Sequence, residues 1–131
     1  MWVPLHVHSQ YSILDASAST KAIAKKAAEY GMPAVALTDH GNMFGAVEFF
    51  KACKGAEVKP ILGCELYVAP RSRHEKKKEY GKRAAYHLTL LAKNVQGYHN
   101  LCKLSSIGYL EGFYYFPRVD HEVLHRDLGL R

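Results

Sequence analysis

Ala34-Val35-Ala36-Leu37-Thr38-Asp39-His40 is an apolar, β-branched run that ends in a ligand-type side chain. A short run of this kind between turn signals reads as a buried strand. Strands that deliver imidazoles and carboxylates at their C-terminal ends are how barrel-like α/β enzymes build their sites. Upstream, Leu5-His6-Val7-His8-Ser9 has the same character. Alternate residues of a strand point to one face, so His6 and His8 would present two imidazoles together, which suits a metal ion.

Outward from these two segments, strand and helix signals alternate. A first strand is expected over residues 3–8. Ser19 or Thr20 can then cap a helix whose apolar face uses Ile23, Ala24, Ala27 and Ala28, ended by Gly31 and Pro33. Strand 34–38 follows, and then a helix over 44–54 with Val47, Phe50 and Cys53 on one side. Further strands are predicted over 60–68 and 86–92, a helix over 95–110, and a short helix that Asp120 could cap. Such alternation implies an α/β fold with a mainly parallel sheet or barrel and right-handed crossovers. Four strands are too few for a closed barrel, so the edges are expected to be covered by partners or by further sequence.

At 131 residues, with 48% hydrophobic and 23% charged residues, the chain is expected to be one domain with its own core. No stretch approaches the roughly 20 apolar residues of a membrane helix. Met1-Trp2-Val3-Pro4 lacks a signal peptide's basic start and apolar centre. A cytoplasmic location with no membrane partner is the expectation. Cys53, Cys64 and Cys102 are odd in number and widely spaced, which argues against a disulfide framework or zinc ribbon and for reduced, buried thiols.

The ligand-type residues, in order, are His6, His8, Asp15, His40, Glu65 and His87, each on a predicted strand or just after one. Singly, His87 reads as a packed or surface histidine and Glu65 as a solvated strand residue. Together they form a mixed imidazole and carboxylate set that suits zinc, manganese or iron, and two or more ions sharing a bridging carboxylate. Such ions activate water and clamp phosphoryl oxygens.

Leu5-His6-Val7-His8-Ser9, Tyr11-Ser12-Ile13-Leu14-Asp15, Thr38-Asp39-His40-Gly41-Asn42-Met43-Phe44-Gly45-Ala46-Val47-Glu48-Phe49, Lys59-Pro60-Ile61-Leu62-Gly63-Cys64-Glu65, Tyr86-His87-Leu88-Thr89-Leu90 and Gly112-Phe113-Tyr114-Tyr115-Phe116-Pro117-Arg118 carry a family resemblance. Together they resemble the N-terminal polymerase-and-histidinol-phosphatase (PHP) domain of bacterial replicative DNA polymerase III alpha subunits. The resemblance implies part of a distorted (β/α)7, TIM-like barrel with up to three divalent ions in its mouth. It implies that His6, His8, Asp15, His40, Glu65 and His87 are metal ligands, with Asp15, His40 and Glu65 at the catalytic centre and Glu65 as a bridge. Asp39 alternates away from His40, which gives it the role of orienting an imidazole. The implied activity is metal-dependent phosphoester hydrolysis, as a 3′–5′ exonuclease in the complete domain. The alternative is a non-catalytic, metal-stabilised structural module of the polymerase. The implied partners are DNA, the remaining polymerase domains and replisome subunits. The family's later ligands would fall beyond Arg131, so residues 1–131 are expected to be the N-terminal portion of a PHP domain, without a polymerase site.

Three other features compete for meaning. Arg71, Arg73, Lys76, Lys77, Lys78, Lys82 and Arg83 face only Glu75 and Glu79 in one segment, either a solvated loop or a contact for a phosphate backbone. His121-Glu122-Val123-Leu124-His125 fits the helical zinc-protease pattern but lacks a third ligand at a usual spacing, so a solvated helix is expected. Phe113 to Phe116 could stack bases, although packing against the barrel or neighbouring domains is the expected role. His74 and His99 read as surface residues.

Overall fold

A computed structural model describes residues 2–77 and 83–128. Helix α1, Thr20–Glu29, begins where Ser19 Oγ accepts the Ala22 N–H at 3.1 Å and ends at Gly31, whose φ of 62° suits a residue without Cβ. It buries Ala24 and Ala27 against β1, Ala34–Leu37, and α2, Ala46–Gly55. The α2 helix turns a different face inward from the one its apolar pattern suggests. Ala46, Phe49 and Cys53 are buried, while Val47 and Phe50 are exposed. A polar anchor sets this rotation: Glu48 accepts hydrogen bonds from Tyr11 Oη at 2.8 Å and Thr20 Oγ1 at 2.6 Å. Apolar residues lie on two stripes of the helix, so periodicity alone cannot choose between them.

The ten-residue strand β2, Lys59–Val68, organises the sheet. Its first half pairs in parallel with β1, from Ala34 opposite Lys59 to Leu37 opposite Leu62. Its second half pairs antiparallel with β3, Tyr86–Leu91, from Gly63 opposite Leu91 to Val68 opposite Tyr86. Two of the three strand pairings are parallel, as expected of a mainly parallel sheet, and the antiparallel β2–β3 pair makes the sheet mixed. No helical pattern separates β2 from β3, and only a crossover returns a chain parallel to the strand before it. On its other edge β2 meets His40, which bridges to Glu65, and then the short β4, Arg118–Val119, in parallel. The four strands make a mixed α/β sheet, not a complete barrel.

The stretch 3–8 also departs from expectation: it runs extended beside β1 but forms no strand. The Ala36 N–H donates to Pro4 O and the Thr38 N–H to Val7 O, while the Val7 N–H is taken by Thr38 Oγ1. Pro4 has no N–H to donate, and the Thr38 hydroxyl interrupts the ladder.

Alternation along β2 separates core from site. Cys64, Leu66 and Val68 pack against Leu101, Leu104 and Ile107 of α3, Val95–Leu110, and against Val119, Val123 and Leu124. Gly63, Glu65 and Tyr67 occupy the opposite face. Asn94 caps α3, its Oδ1 accepting the Gly97 N–H at 2.9 Å. Cys53 and Cys64 are buried free thiols, pushed up by burial to about 11 and about 12, whereas Cys102 is half-buried. No helix is long and apolar enough to cross a membrane.

Two buried arginines brace the far side. Arg73, counted by sequence among the candidate phosphate contacts, is only 5% exposed. Its guanidinium meets Glu111 at 2.7 Å, and Asp120 and Glu122 each at 3.1 Å. With its donors taken by carboxylates, it serves the fold and not a phosphate. Asp120 also accepts the Arg73 N–H at 2.8 Å and the Val123 N–H at 3.3 Å, capping α4, His121–Leu128. Arg118 donates to the carbonyls of Gly112, Ala84, Arg73 and Glu75.

Burial would raise the Asp120 carboxyl, but the N–H donors of Arg73 and Val123 and the Arg73 charge outweigh it and hold it below the usual carboxylate range. A depressed native value means the unfolded chain takes up the proton first, so this stability is present above the unfolded value of about 3.9 and lost as pH falls through the native one. Asp120→Asn should therefore flatten the dependence of unfolding free energy on pH between roughly 5 and 2. Gly63 supplies a second expectation, because a Cβ there would stand 2.6 Å from Leu90 O and 2.9 Å from Thr38 Cγ2. Gly63→Ala should lower stability by about 1–3 kcal/mol in chemical denaturation, as overpacking does.

Candidate metal centre

Glu65 lies at the centre of the sheet with 5% of its surface exposed, at the point where β2 leaves β1 and takes up β3. An isolated carboxylate would resist such burial. Four imidazoles surround it. His6 Nε2 is 2.6 Å and His8 Nε2 3.1 Å from Oε2, His40 Nδ1 is 3.5 Å from the same oxygen, and His87 Nδ1 contacts Oε1. Burial alone would raise the Glu65 carboxyl, but its bonds to His6 and His87 and the nearby imidazole charges outweigh that and hold it below the usual range.

Each approach has a local cause. The extended stretch beside β1 brings both His6 and His8 to Glu65, as their alternation suggests. The His8 ring is oriented by Thr38, whose carbonyl lies 2.8 Å from Nδ1 and so leaves Nε2 facing the cluster. His40 is delivered just after β1, bridging to Glu65. His87 stands opposite Tyr67 in the β2–β3 register. Asp15 arrives on a loop, its Oδ2 at 2.7 Å from His40 Nε2 and 3.9 Å from His8 Nε2.

Asp39 acts on that loop and not on an imidazole. Its buried carboxylate accepts hydrogen bonds from Ser9 N, Ser9 Oγ and Ser12 Oγ at 2.6–2.7 Å. Ser12 Oγ in turn accepts the His40 N–H at 3.1 Å, and Ser12 O accepts the N–H groups of Asp15 and Ala16. A single carboxylate thus ties the Asp15 loop to the end of β1. The sequence reading missed Ser9, Ser12 and Thr38, because a serine or threonine beside a ligand carries no periodic signal. It also missed Tyr67, which a signal could have found: Tyr67 lies two residues past Glu65 on one strand and so shares its face.

Among the described residues, three groups have ligand atoms close enough to hold a metal ion: His6, His8 and Glu65; His8, Asp15 and His40; and His40, Glu65 and His87. They share His8, His40 and Glu65, so the six ligand-type residues form one cluster. The donor set fits divalent cations that accept both nitrogen and oxygen. His40 Nδ1 is buried, has no hydrogen-bond partner and lies 3.5 Å from Glu65 Oε2, a ring nitrogen left over for a ligand of the cluster. The His-Glu-x-x-His segment forms no such group. Its glutamate, Glu122, pairs with Arg73, and its two imidazole centroids are 6.4 Å apart on an exposed face of α4.

Beside the cluster opens a cleft of about 640 Å³, bordered by Asp15, His40 and His87 and walled by aromatic and aliphatic side chains. Of the basic segment, Arg71, Lys76, Lys77 and Arg83 are exposed, with Arg71 paired to Glu75. Lys78 and Lys82 lie outside the described residues. His74 and His99 are exposed, as expected.

A fold of this kind, with four histidines, Asp15 and Glu65 gathered in one cluster beside the sheet, defines a class. The chain belongs to the PHP domain family, whose pattern matches residues 4–130. Among particular proteins it is similar to DNA polymerase III subunit alpha of Chlamydia muridarum, 64% identical over 123 residues that make up 94% of this chain and 10% of that protein. The same subunit of Borreliella burgdorferi is 52% identical over 125 residues, 95% of this chain and 11% of that protein. The chain therefore spans about a tenth of the length of these curated relatives. Among solved structures, a Bifidobacterium adolescentis protein described as a metal-dependent phosphoesterase aligns with a TM-score of 0.55 at 16% identity, covering 79% of this chain and 32% of that one. An amidohydrolase of Chromobacterium violaceum aligns with a TM-score of 0.55 at 21% identity, covering 80% and 34%. At those identities the likeness is one of fold.

The Asp39 hub gives a direct expectation. Asp39→Ala removes the acceptor for three buried donors and should cost about 3 kcal/mol in thermal or chemical unfolding.

Proposed function

We propose that this chain is the N-terminal portion of the PHP domain of a replicative DNA polymerase III alpha subunit, and that the complete domain hydrolyses phosphodiesters at DNA 3′ ends. In this reading residues 1–131 form part of a distorted seven-stranded barrel. The observation that carries the proposal is the sharing of one buried carboxylate, Glu65, by four imidazoles from three separate stretches of chain. Similarity to polymerase subunits supports DNA as substrate, and the remaining polymerase domains and replisome subunits as partners, in the cytoplasm.

His6, His8, Asp15, His40, Glu65 and His87 would hold up to three divalent ions, with zinc, manganese and iron all compatible with the donors. When bound, such ions supply Lewis acidity, making water nucleophilic near neutral pH and balancing charge on a phosphate. Glu65 is suited to bridging, because its two oxygens face different imidazoles. The Thr38 carbonyl fixes the His8 ring with Nε2 free to bind. Asp39, through Ser9 and Ser12, holds Asp15 within reach of His40. Exposed Lys76, Lys77 and Arg83 lend positive potential to the approach of a nucleic-acid strand.

A nuclease assay on the full-length polymerase subunit tests this. His8→Ala should lower metal-dependent removal of 3′ nucleotides by at least ~100-fold with polymerisation unchanged, since losing a ligand costs more than losing a residue that orients one. Elemental analysis should show less bound metal in a His6→Ala/His8→Ala variant. Equal nuclease rates in wild type and variant, with metal lost only from the variant, would make the domain a metal-stabilised structural module instead.

A further inference from the structure

We infer that the aromatic cleft beside the metal centre is a base-stacking subsite for the last nucleotides of a single strand. The inference rests on the phosphodiester reading above for its substrate class and on independent geometry for its place. Four near-parallel rings lead out of the cluster. His8 stacks on His40 with centroids 4.1 Å apart, His40 on Tyr67 at 5.9 Å and Tyr67 on Phe116 at 4.6 Å, with interplanar angles of 20–24°. The ladder begins at ligand-type imidazoles and ends at Phe116, a ring still 40% exposed. A nucleobase is the flat group that would continue it, and stacking of this kind takes any base.

The walls support the same occupant. Leu14 and Tyr115, one from each of two loops lining the cleft, hold left-handed backbones at φ 71° and 59°, which non-glycine residues seldom adopt. Both side chains are exposed, Leu14 fully and Tyr115 by 68%, so burial within this chain does not offset the strain. Such strain is characteristic of ligand clamps. The Tyr115 turn is closed by the Tyr114 N–H donating to Phe116 O at 3.0 Å.

Charge completes the match. Tyr115 and Phe116 also border a second hollow with Arg83, and Arg83 borders a third with Lys77. A strand with its terminal phosphodiester at the cluster and its base on Phe116 would run toward these cations. Tyr115 and Phe116 thus border both the hollow that holds the cluster residues and the one that holds Arg83.

The test is a binding experiment that does not depend on turnover. The intact chain is titrated with a short thymidylate oligonucleotide whose linkages are phosphorothioate and whose 3′ base is 2-aminopurine, a fluorophore quenched by stacking. Quenching on binding is expected, along with about tenfold weaker affinity when the 3′ nucleotide is abasic. Phe116→Leu and Tyr115→Ser, both at exposed side chains, should abolish the quenching with helix content unchanged by circular dichroism. Arg83→Gln should reduce the salt slope of binding by about one. Equal affinity for abasic and base-bearing strands, or full quenching in Phe116→Leu, would overturn the inference even if the domain hydrolyses DNA. Quenching that survives in a domain without nuclease activity would leave the subsite standing and remove only the hydrolytic reading.

Discussion

Everything at the functional end of this molecule depends on one buried carboxylate. Glu65 lies in the middle of the longest strand, with β3 on one edge and His40 on the other, and its charge is balanced by four imidazoles from three separate stretches of chain. A carboxylate in such a place is costly unless its partners are held in position. The architecture around it supplies that hold. The parallel pairing of β1 with β2 delivers His40, the antiparallel pairing of β3 delivers His87, and the extended N-terminal stretch delivers His6 and His8.

A second layer of polar contacts keeps those partners aimed. Thr38 does three things at once: its amide and hydroxyl bind Val7, and its carbonyl orients the His8 ring. Asp39, the next residue, gathers Ser9 and Ser12 and so carries the Asp15 loop. Two adjacent residues at the end of one buried strand thereby position most of the cluster. On the far side, Arg73 and Arg118 do the equivalent work for the basic segment, pinning it to the start of α4 and to β4. Both arginines are buried, and because Arg73 belongs to the basic segment, that segment presents one cation fewer to solvent than its composition suggests.

Much of this was legible beforehand. The helix after Ser19 and that over 95–110, and the strands expected over 34–38, 60–68 and 86–92, followed from capping residues, apolar runs and spacing, the strands to within one residue at each end; the six ligand-type residues singled out in the same way lie in one cluster. Family membership followed from motifs that lie at the ends of those elements. Other features were not legible for specific reasons. The inward face of α2 depends on where Glu48 finds Tyr11 and Thr20, residues 37 and 28 positions away. Tyr67 follows the alternation of Glu65, yet its role emerges only when His40 and Phe116 stack upon it.

The amino-acid sequence by itself determined which side chains are candidate ligands and which local elements present them, because capping, periodicity and strand alternation act over a few residues. Only the tertiary structure decided that the stretch over 3–8 forms no strand, that Asp39 serves the serines, and that Arg73 is a buried brace. Each of those outcomes depends on partners distant along the chain. A hydrogen bond or ion pair goes to whichever group the packing brings near, which no local pattern records.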